Sequence, residues 1–188
     1  MTPQRTTTVL AALAGATALL ALGGLVVLNT GATLGAPPFV LGLSQGYDEA
    51  AYRELLPSAS PADLDRAAAR SRQALAVAPY ENSARLRLVY IETLRHGRLT
   101  PAGVQLLVQS YDLLPLDPNV AAWRIGFSLE HWQSLTPDAR RAVYEEARAF
   151  YRLGSRDVDV RRVLRGVRAP SGRLAAALWL HSFDRDAR

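Results

Sequence analysis

The stretch LLPLDPNVAAW, residues 113–123, ends one apolar helix and starts another. Asp117 supplies an oxygen that can cap the new helix, and Pro118 has its backbone φ preset for the first helical turn. The same pairing of a capping residue with a following proline occurs at three further places, which are Ser60-Pro61, Thr100-Pro101 and Thr136-Pro137. Four such starts predict a chain of successive helices.

Apolar residues between these starts recur at intervals of three and four, the spacing of one helix face. No segment alternates convincingly with the two-residue period of a strand. The pattern predicts eight helices, at residues 47–56, 61–77, 82–96, 101–114, 118–134, 137–153, 157–166 and 171–182. Because the connections contain only a few residues, successive helices should pack antiparallel as hairpins.

A stretch similar to residues 113–123 occurs earlier in the chain, at ALAVAPYENSA, residues 74–84. Aligning Pro79 with Pro118 superposes Ser71 on Ser110 at a period of 39 residues. In both copies an apolar turn precedes the proline, and a helix with small residues follows it. Residues 60–155 therefore resemble degenerate tetratricopeptide repeats, although that family's usual period is about 34 residues. The resemblance implies a scaffold for protein contacts and implies no catalysis.

The N-terminal region has a different character from the rest of the chain. The 20 residues of VLAALAGATALLALGGLVVL, Val9 to Leu28, carry no charge, and as a helix they would span about 30 Å, the thickness of a bilayer core. We predict a transmembrane helix within residues 1–30, a glycine- and proline-rich linker at residues 31–46, and a helical domain at residues 47–188. A cleaved secretory signal is the alternative, although its apolar run is usually only about 7–15 residues.

Arg5 is the only charged residue before this span. By the positive-inside rule it places the N-terminus in the cytoplasm. We therefore expect a single-pass protein of the bacterial inner membrane, with its C-terminal domain in the periplasm.

The composition excludes several kinds of site. The sequence has no cysteine, so disulfides, thiolate metal sites and a cysteine nucleophile are impossible. No two histidines have metal-ligand spacing, and no phosphate-binding loop or nucleophile elbow is present. Glu130 and His131 are adjacent and so point about 100° apart on a helix, while Glu145 and Glu146 are interpreted as a solvated helix start. We expect neither an enzyme nor a bound cofactor or metal.

Aromatic residues are concentrated around the helix that begins at Pro118. As core residues, such large rings would bury well over 100 Å² each. Alternatively, some of them line the face that helical repeats use for partners. The candidate partner-binding residues are Tyr111, Trp123, Arg124, Phe127, His131 and Trp132.

All 22 basic residues are arginine, and 12 of them lie in residues 137–188 against 7 acidic residues. The segment VRRVLRGVRAPSGR, residues 160–173, contains no acid. Its candidate anion-binding residues are Arg161, Arg162, Arg165, Arg168 and Arg173. Beyond a membrane these would meet an anionic polysaccharide or phospholipid headgroups rather than nucleic acid. A solvated surface without a ligand is the alternative.

Two functional hypotheses follow. The first is a non-enzymatic, membrane-anchored adaptor that mediates protein–protein contacts in a membrane complex of the cell envelope. The chain also resembles small anchored proteins of GC-rich bacteria, a likeness that implies a place in surface-polysaccharide assembly or export. The second hypothesis is a binding module for an anionic envelope polymer or lipid surface, which acts through the C-terminal arginines.

Overall fold

A computed structural model describes residues 59–154 and 158–186. The predicted transmembrane helix within residues 1–30, the linker at 31–46 and the helix at 47–56 lie outside the described residues. Within the described ranges every regular element is helical, which confirms the predicted all-α fold for that part of the chain. No helix in those ranges is both long and apolar enough to cross a bilayer.

Seven α-helices and one 3-10 helix are present in the described ranges. The α-helices are α1 (Pro61–Val77), α2 (Asn82–His96), α3 (Pro101–Leu113), α4 (Pro118–Glu130), α5 (Pro137–Leu153), α6 (Val160–Gly166) and α7 (Pro170–Asp186), and the 3-10 helix is Trp132–Ser134.

All four predicted capping residues bind the first turn of their helices. Ser60 forms a reciprocal capping box with Asp63 at the start of α1. The hydroxyls of Thr100 and Thr136 each accept a hydrogen bond from a backbone N–H three residues later, and the carboxylate of Asp117 accepts one from Asn119. These bonds satisfy N–H groups that have no partner inside a helix.

The fifth predicted helix, residues 118–134, is shorter than expected. The α-helix ends at Glu130, and His131, with φ −109° and ψ 25°, leaves the helical conformation before the 3-10 turn. The backbone at this break is satisfied locally, because His131 N–H donates to the carbonyl of Phe127.

The helices that end in the two similar stretches, residues 74–84 and 113–123, end in a similar way. The backbone of Ala78 has φ −130° and ψ 88°, and that of Leu114 has φ −149° and ψ 79°. Each residue donates its N–H to the carbonyl four residues earlier. These ends lie 36 residues apart, so the alignment of Pro79 with Pro118 at 39 residues does not superpose the helix ends.

The chain divides into two compact units between Pro79 and Tyr80. In the first unit the described element is α1. In the second, α2 packs on α3, α4 on α5 and α6 on α7, and each pair is joined by a short connection. Gly97 ends α2 in the left-handed conformation, with φ 65°, which a glycine adopts without steric cost.

Helix α4 is the centre of the second unit, because it packs against α2, α5, α6 and α7. Its inward face contributes Ile125 and Leu129, both fully buried, to a single core that includes residues of all these helices. Helix α7 approaches α4 closely at Gly172, where a β-carbon would lie only 1.8 Å from the carbonyl oxygen of Leu129. The packing therefore requires glycine at position 172.

Candidate functional site

The outward face of α4 carries a row of aromatic rings. Trp123, Phe127 and His131 are spaced four residues apart and so lie on one side of the helix. The rings of Trp123 and Phe127 stack with centroids 4.6 Å apart and an interplanar angle of 15°, and Phe127 lies 4.5 Å from His131. Tyr90, on α2, extends the row through an edge-on contact of 6.4 Å with Trp123. We call these four residues the aromatic ridge.

The ridge is accessible to solvent although it rests on the core. Trp123 is 40% exposed and Tyr90 38% exposed, while Phe127 and His131 are half-buried. Burial lowers the pKa of His131, an effect opposed by the neighbouring Glu130 carboxylate, so the neutral imidazole is favoured. The ridge thus presents apolar and uncharged aromatic surface.

One side of the ridge forms the wall of a shallow groove between α4 and α6. The groove has a volume of about 420 Å³. It is lined by Ala122, Trp123, Gly126, Phe127, Glu130, Arg162, Val163, Gly166 and Val167. We call it the α4–α6 groove. Its lining is mainly apolar, with one acidic and one basic residue.

Two candidate partner residues, Tyr111 and Arg124, are buried instead of lying on the ridge. Arg124 is 0% exposed, and its guanidinium lies 3.9 Å from the centroid of the Tyr111 ring. It donates hydrogen bonds to the carbonyls of Ser110, Leu114 and Pro115. This burial does not agree with the prediction that Tyr111 and Arg124 contact a partner: their polar groups are occupied within the domain.

Glu146 completes this buried network. Its carboxylate pairs with the guanidinium of Arg124 through both Nε and a terminal nitrogen, and it accepts a 3.1 Å hydrogen bond from the Tyr111 hydroxyl. Burial raises the pKa of Glu146 to about 7, against the opposing effect of Arg124. Burial, together with the Glu146 charge, also raises the pKa of Tyr111. The expectation that Glu146 is solvated is therefore wrong, whereas Glu145 is exposed.

Trp132, another candidate partner residue, belongs to a different cluster. Its ring contacts Trp179 edge-on, with centroids 5.4 Å apart, and the guanidinium of Arg140 lies 5.2 Å from its centroid. The ring is half-buried and packs against the core. Trp132 therefore fastens the 3-10 turn to α7.

The five candidate anion-binding arginines are all exposed, but they are not equivalent. Arg161 pairs with Asp184 at 2.6 Å and lies 4.7 Å from the centroid of the Tyr151 ring. The other four guanidinium groups form no ion pair with any residue in the described ranges. Arg162 faces the α4–α6 groove.

The sequence patterns did not identify several residues of this surface. Tyr90 is not among the candidate residues, and its contact with Trp123 depends on how α2 packs against α4. Gly126, Gly166 and Val167 carry no sequence signal for a groove, because the groove exists only where α6 packs against α4. Among the described residues there is no cluster of three side chains suited to hold a metal ion.

Comparison of the chain with protein-family models, with curated proteins and with solved structures finds no match.

Proposed function

We propose that this chain is a non-enzymatic, membrane-anchored adaptor of the bacterial cell envelope. Its periplasmic helical domain, which resembles degenerate tetratricopeptide repeats, binds a protein partner in an inner-membrane complex. The aromatic ridge is the observation that carries the proposal. Tyr and Trp are enriched at the centres of protein interfaces, where a large ring buries much area at small cost in side-chain entropy. A place in surface-polysaccharide assembly or export rests on the general likeness to small anchored envelope proteins.

Four features of the ridge support a binding role. Its rings are contiguous, they come from two helices, they are uncharged, and they border a groove. Isolated apolar residues are common on protein surfaces, but continuous apolar patches are typical of interaction sites. Trp123 is not among the residues of the buried core.

The buried network supports a non-enzymatic role. Glu146 is the kind of residue that could serve as a general base, because its pKa is about 7. However, Glu146 is only 2% exposed, and its oxygens are already bound by Arg124 and Tyr111. A substrate would have to displace part of the core to reach it.

The adaptor proposal can be tested in the native membrane. A photo-crosslinking residue at position 123 should form a discrete adduct with a partner protein, and Trp123→Ala should abolish copurification of that protein in mild detergent. Leu178→Ala is the matched control, because Leu178 is also exposed, at 62%, but lies on α7 and is not a residue of the ridge. If the Trp123→Ala protein is folded and retains every partner of the wild type, the proposal is wrong.

A second candidate function is binding of an anionic lipid surface or envelope polymer. It is favoured by the exposure of Arg162, Arg165, Arg168 and Arg173 without ionic partners in the described ranges. Replacing all four with glutamine should abolish cosedimentation with anionic liposomes or an acidic polysaccharide at low salt, since each surface arginine contributes about 1 kcal/mol near such lipids. Equal sedimentation of variant and wild type would exclude this function.

A further inference from the structure

The walls of the α4–α6 groove suit an apolar anchor side chain. Trp123 and Phe127 line it from α4, and Val163 lines it from α6. At Gly126 a β-carbon would lie 3.5 Å from the Val163 side chain, and at Gly166 a β-carbon would meet nothing within 4 Å. Gly166 therefore leaves open space that an entering side chain would fill, whereas the Val163 side chain bounds the space at Gly126.

The charges beside the groove favour an acidic ligand. The Glu130 carboxylate is occupied, since it accepts hydrogen bonds from the backbone N–H groups of Arg168 at 2.7 Å and Ala169 at 2.9 Å. The backbone N–H of Arg162 donates to the Asp159 carboxylate, whereas its exposed guanidinium forms no ion pair in the described part of the chain. Arg162 is therefore the charged side chain of the groove lining that remains available to pair with a ligand.

We propose that the α4–α6 groove binds an acidic segment of the partner protein, in which a carboxylate lies next to an aliphatic or aromatic anchor residue. The anchor enters the groove between α4 and α6, against the Trp123 ring, and the carboxylate pairs with Arg162. This inference rests on the proposed adaptor function, and it specifies the chemistry of the partner.

The charge distribution argues against a second copy of this chain as the occupant. Residues 137–188 carry 12 arginines and 7 acidic residues. Two copies that met at this surface would bring two positively charged regions together, and like charges at an interface weaken association. An acidic segment is attracted by the positive charge of this region, and the attraction also accelerates its encounter with the groove.

The test selects peptides from a random library displayed on phage, using the full-length protein in mild detergent as the target. Peptides that also bind the Gly126→Leu protein are removed, because this substitution fills the groove from its floor. We expect the remaining peptides to be enriched in Asp or Glu next to Leu, Ile, Phe or Trp. Their dissociation constants should rise at least tenfold for Arg162→Glu, whereas Arg165→Glu, on the same helix but outside the groove lining, should change them less than twofold.

Gly166→Leu is a second blocking variant, in case Gly126→Leu disturbs α4. It should also weaken the selected peptides at least tenfold while the thermal unfolding curve is retained. The proposal is overturned if no peptide is selected, if the selected peptides lack acidic residues, or if Arg162→Glu binds them like the wild type. A dimer of the full chain that Gly126→Leu dissociates would also overturn it, in favour of self-association.

Failure of this inference is distinguishable from failure of the adaptor function. If the membrane partner is lost with Trp123→Ala but retained with both Arg162→Glu and Gly166→Leu, the adaptor function stands and the acidic groove ligand is wrong. If Trp123→Ala also retains every partner, the adaptor function itself fails.

Discussion

Arg124 and Glu146 form an ion pair inside the core of the second unit, where their side chains are 0% and 1% exposed. The pair joins α4 to α5, and through the carbonyls of Ser110 and Leu114 it also holds the end of α3. A single arginine therefore satisfies the last carbonyls of one helix and the acid of another. The network around Arg124 therefore links α3, α4 and α5.

Removing one member of this pair should strongly destabilise the fold. Glu146→Leu leaves a buried guanidinium without its counter-charge, and such losses cost about 3–5 kcal/mol. Thermal and urea unfolding of the full chain, followed by circular dichroism, measures the loss. The exposed neighbour provides a control, since Glu145→Leu should change stability by less than about 0.5 kcal/mol. Equal effects of the two substitutions would contradict the buried pair.

The same carboxylate should make stability depend on pH. The pKa of Glu146 is about 7 in the folded protein, against an ordinary value of 4.5. Between these values the folded state binds more protons than the unfolded state, so the contribution of this group to stability is fully present below pH 4.5. It decreases as pH rises to about 7, by up to about 3 kcal/mol.

Urea unfolding at a series of pH values tests this dependence. Glu146→Gln should flatten the decline between pH 4.5 and 7, because glutamine is uncharged over this whole range. Glu145→Gln should retain the decline of the wild type. Parallel curves for the wild type and Glu146→Gln would show that Glu146 ionises normally.

Gly172→Ala should destabilise the contact between α4 and α7. The new methyl group would meet the Leu129 carbonyl oxygen at 1.8 Å, so one of the two backbones must move. Overpacking of this kind costs about 1–3 kcal/mol, and sometimes more. Differential scanning calorimetry should show a clearly lowered midpoint for Gly172→Ala. Gly166→Ala, with no atom within 4 Å of its β-carbon, should leave the midpoint unchanged or higher.

The two tryptophans of the α4 region should differ in their contributions. Trp132 packs on Trp179 and the core, so Trp132→Ala should cost about 2–3 kcal/mol, below the range of about 3–5 kcal/mol for a fully buried ring. Trp123→Ala removes a ring that is 40% exposed and should cost about 1 kcal/mol. Partner copurification should show the reverse order, with the larger loss for Trp123→Ala. If Trp132→Ala caused the larger loss both of stability and of partner copurification, the ridge would not be the partner-binding surface.

The predicted membrane anchor can be tested chemically. Because the apolar segment Val9–Leu28 is 20 residues long, we expect it to remain uncleaved in the mature protein. Mass spectrometry of the N-terminal peptide from isolated membranes should find a sequence that begins at residue 1 or 2. A mature N-terminus near Thr33 would instead identify a secretory signal.

Local chemistry in the sequence was sufficient to predict where four of the described helices start. A capping residue and the proline after it both act on the first turn of the helix that they start, within about four residues. For this reason the helices begin at Pro61, Pro101, Pro118 and Pro137, as the pattern predicts. The spacing of apolar residues by three and four also places Ile125 and Leu129 on one face of α4, and both are buried in the core. The break at His131 was missed, because a helix and a helix followed by a 3-10 turn have nearly the same apolar spacing.

Which polar and aromatic residues are buried was decided only by tertiary packing. Arg124 and Arg162 are chemically identical, yet the first is enclosed by Ser110, Tyr111 and Glu146, whereas the second is exposed beside a groove. Glu145 and Glu146 are neighbours in the chain, and the roughly 100° between them on α5 places one in solvent and the other in the core. Burial depends on residues distant in sequence, 22 positions away for Glu146 and Arg124, and no local pattern encodes that distance.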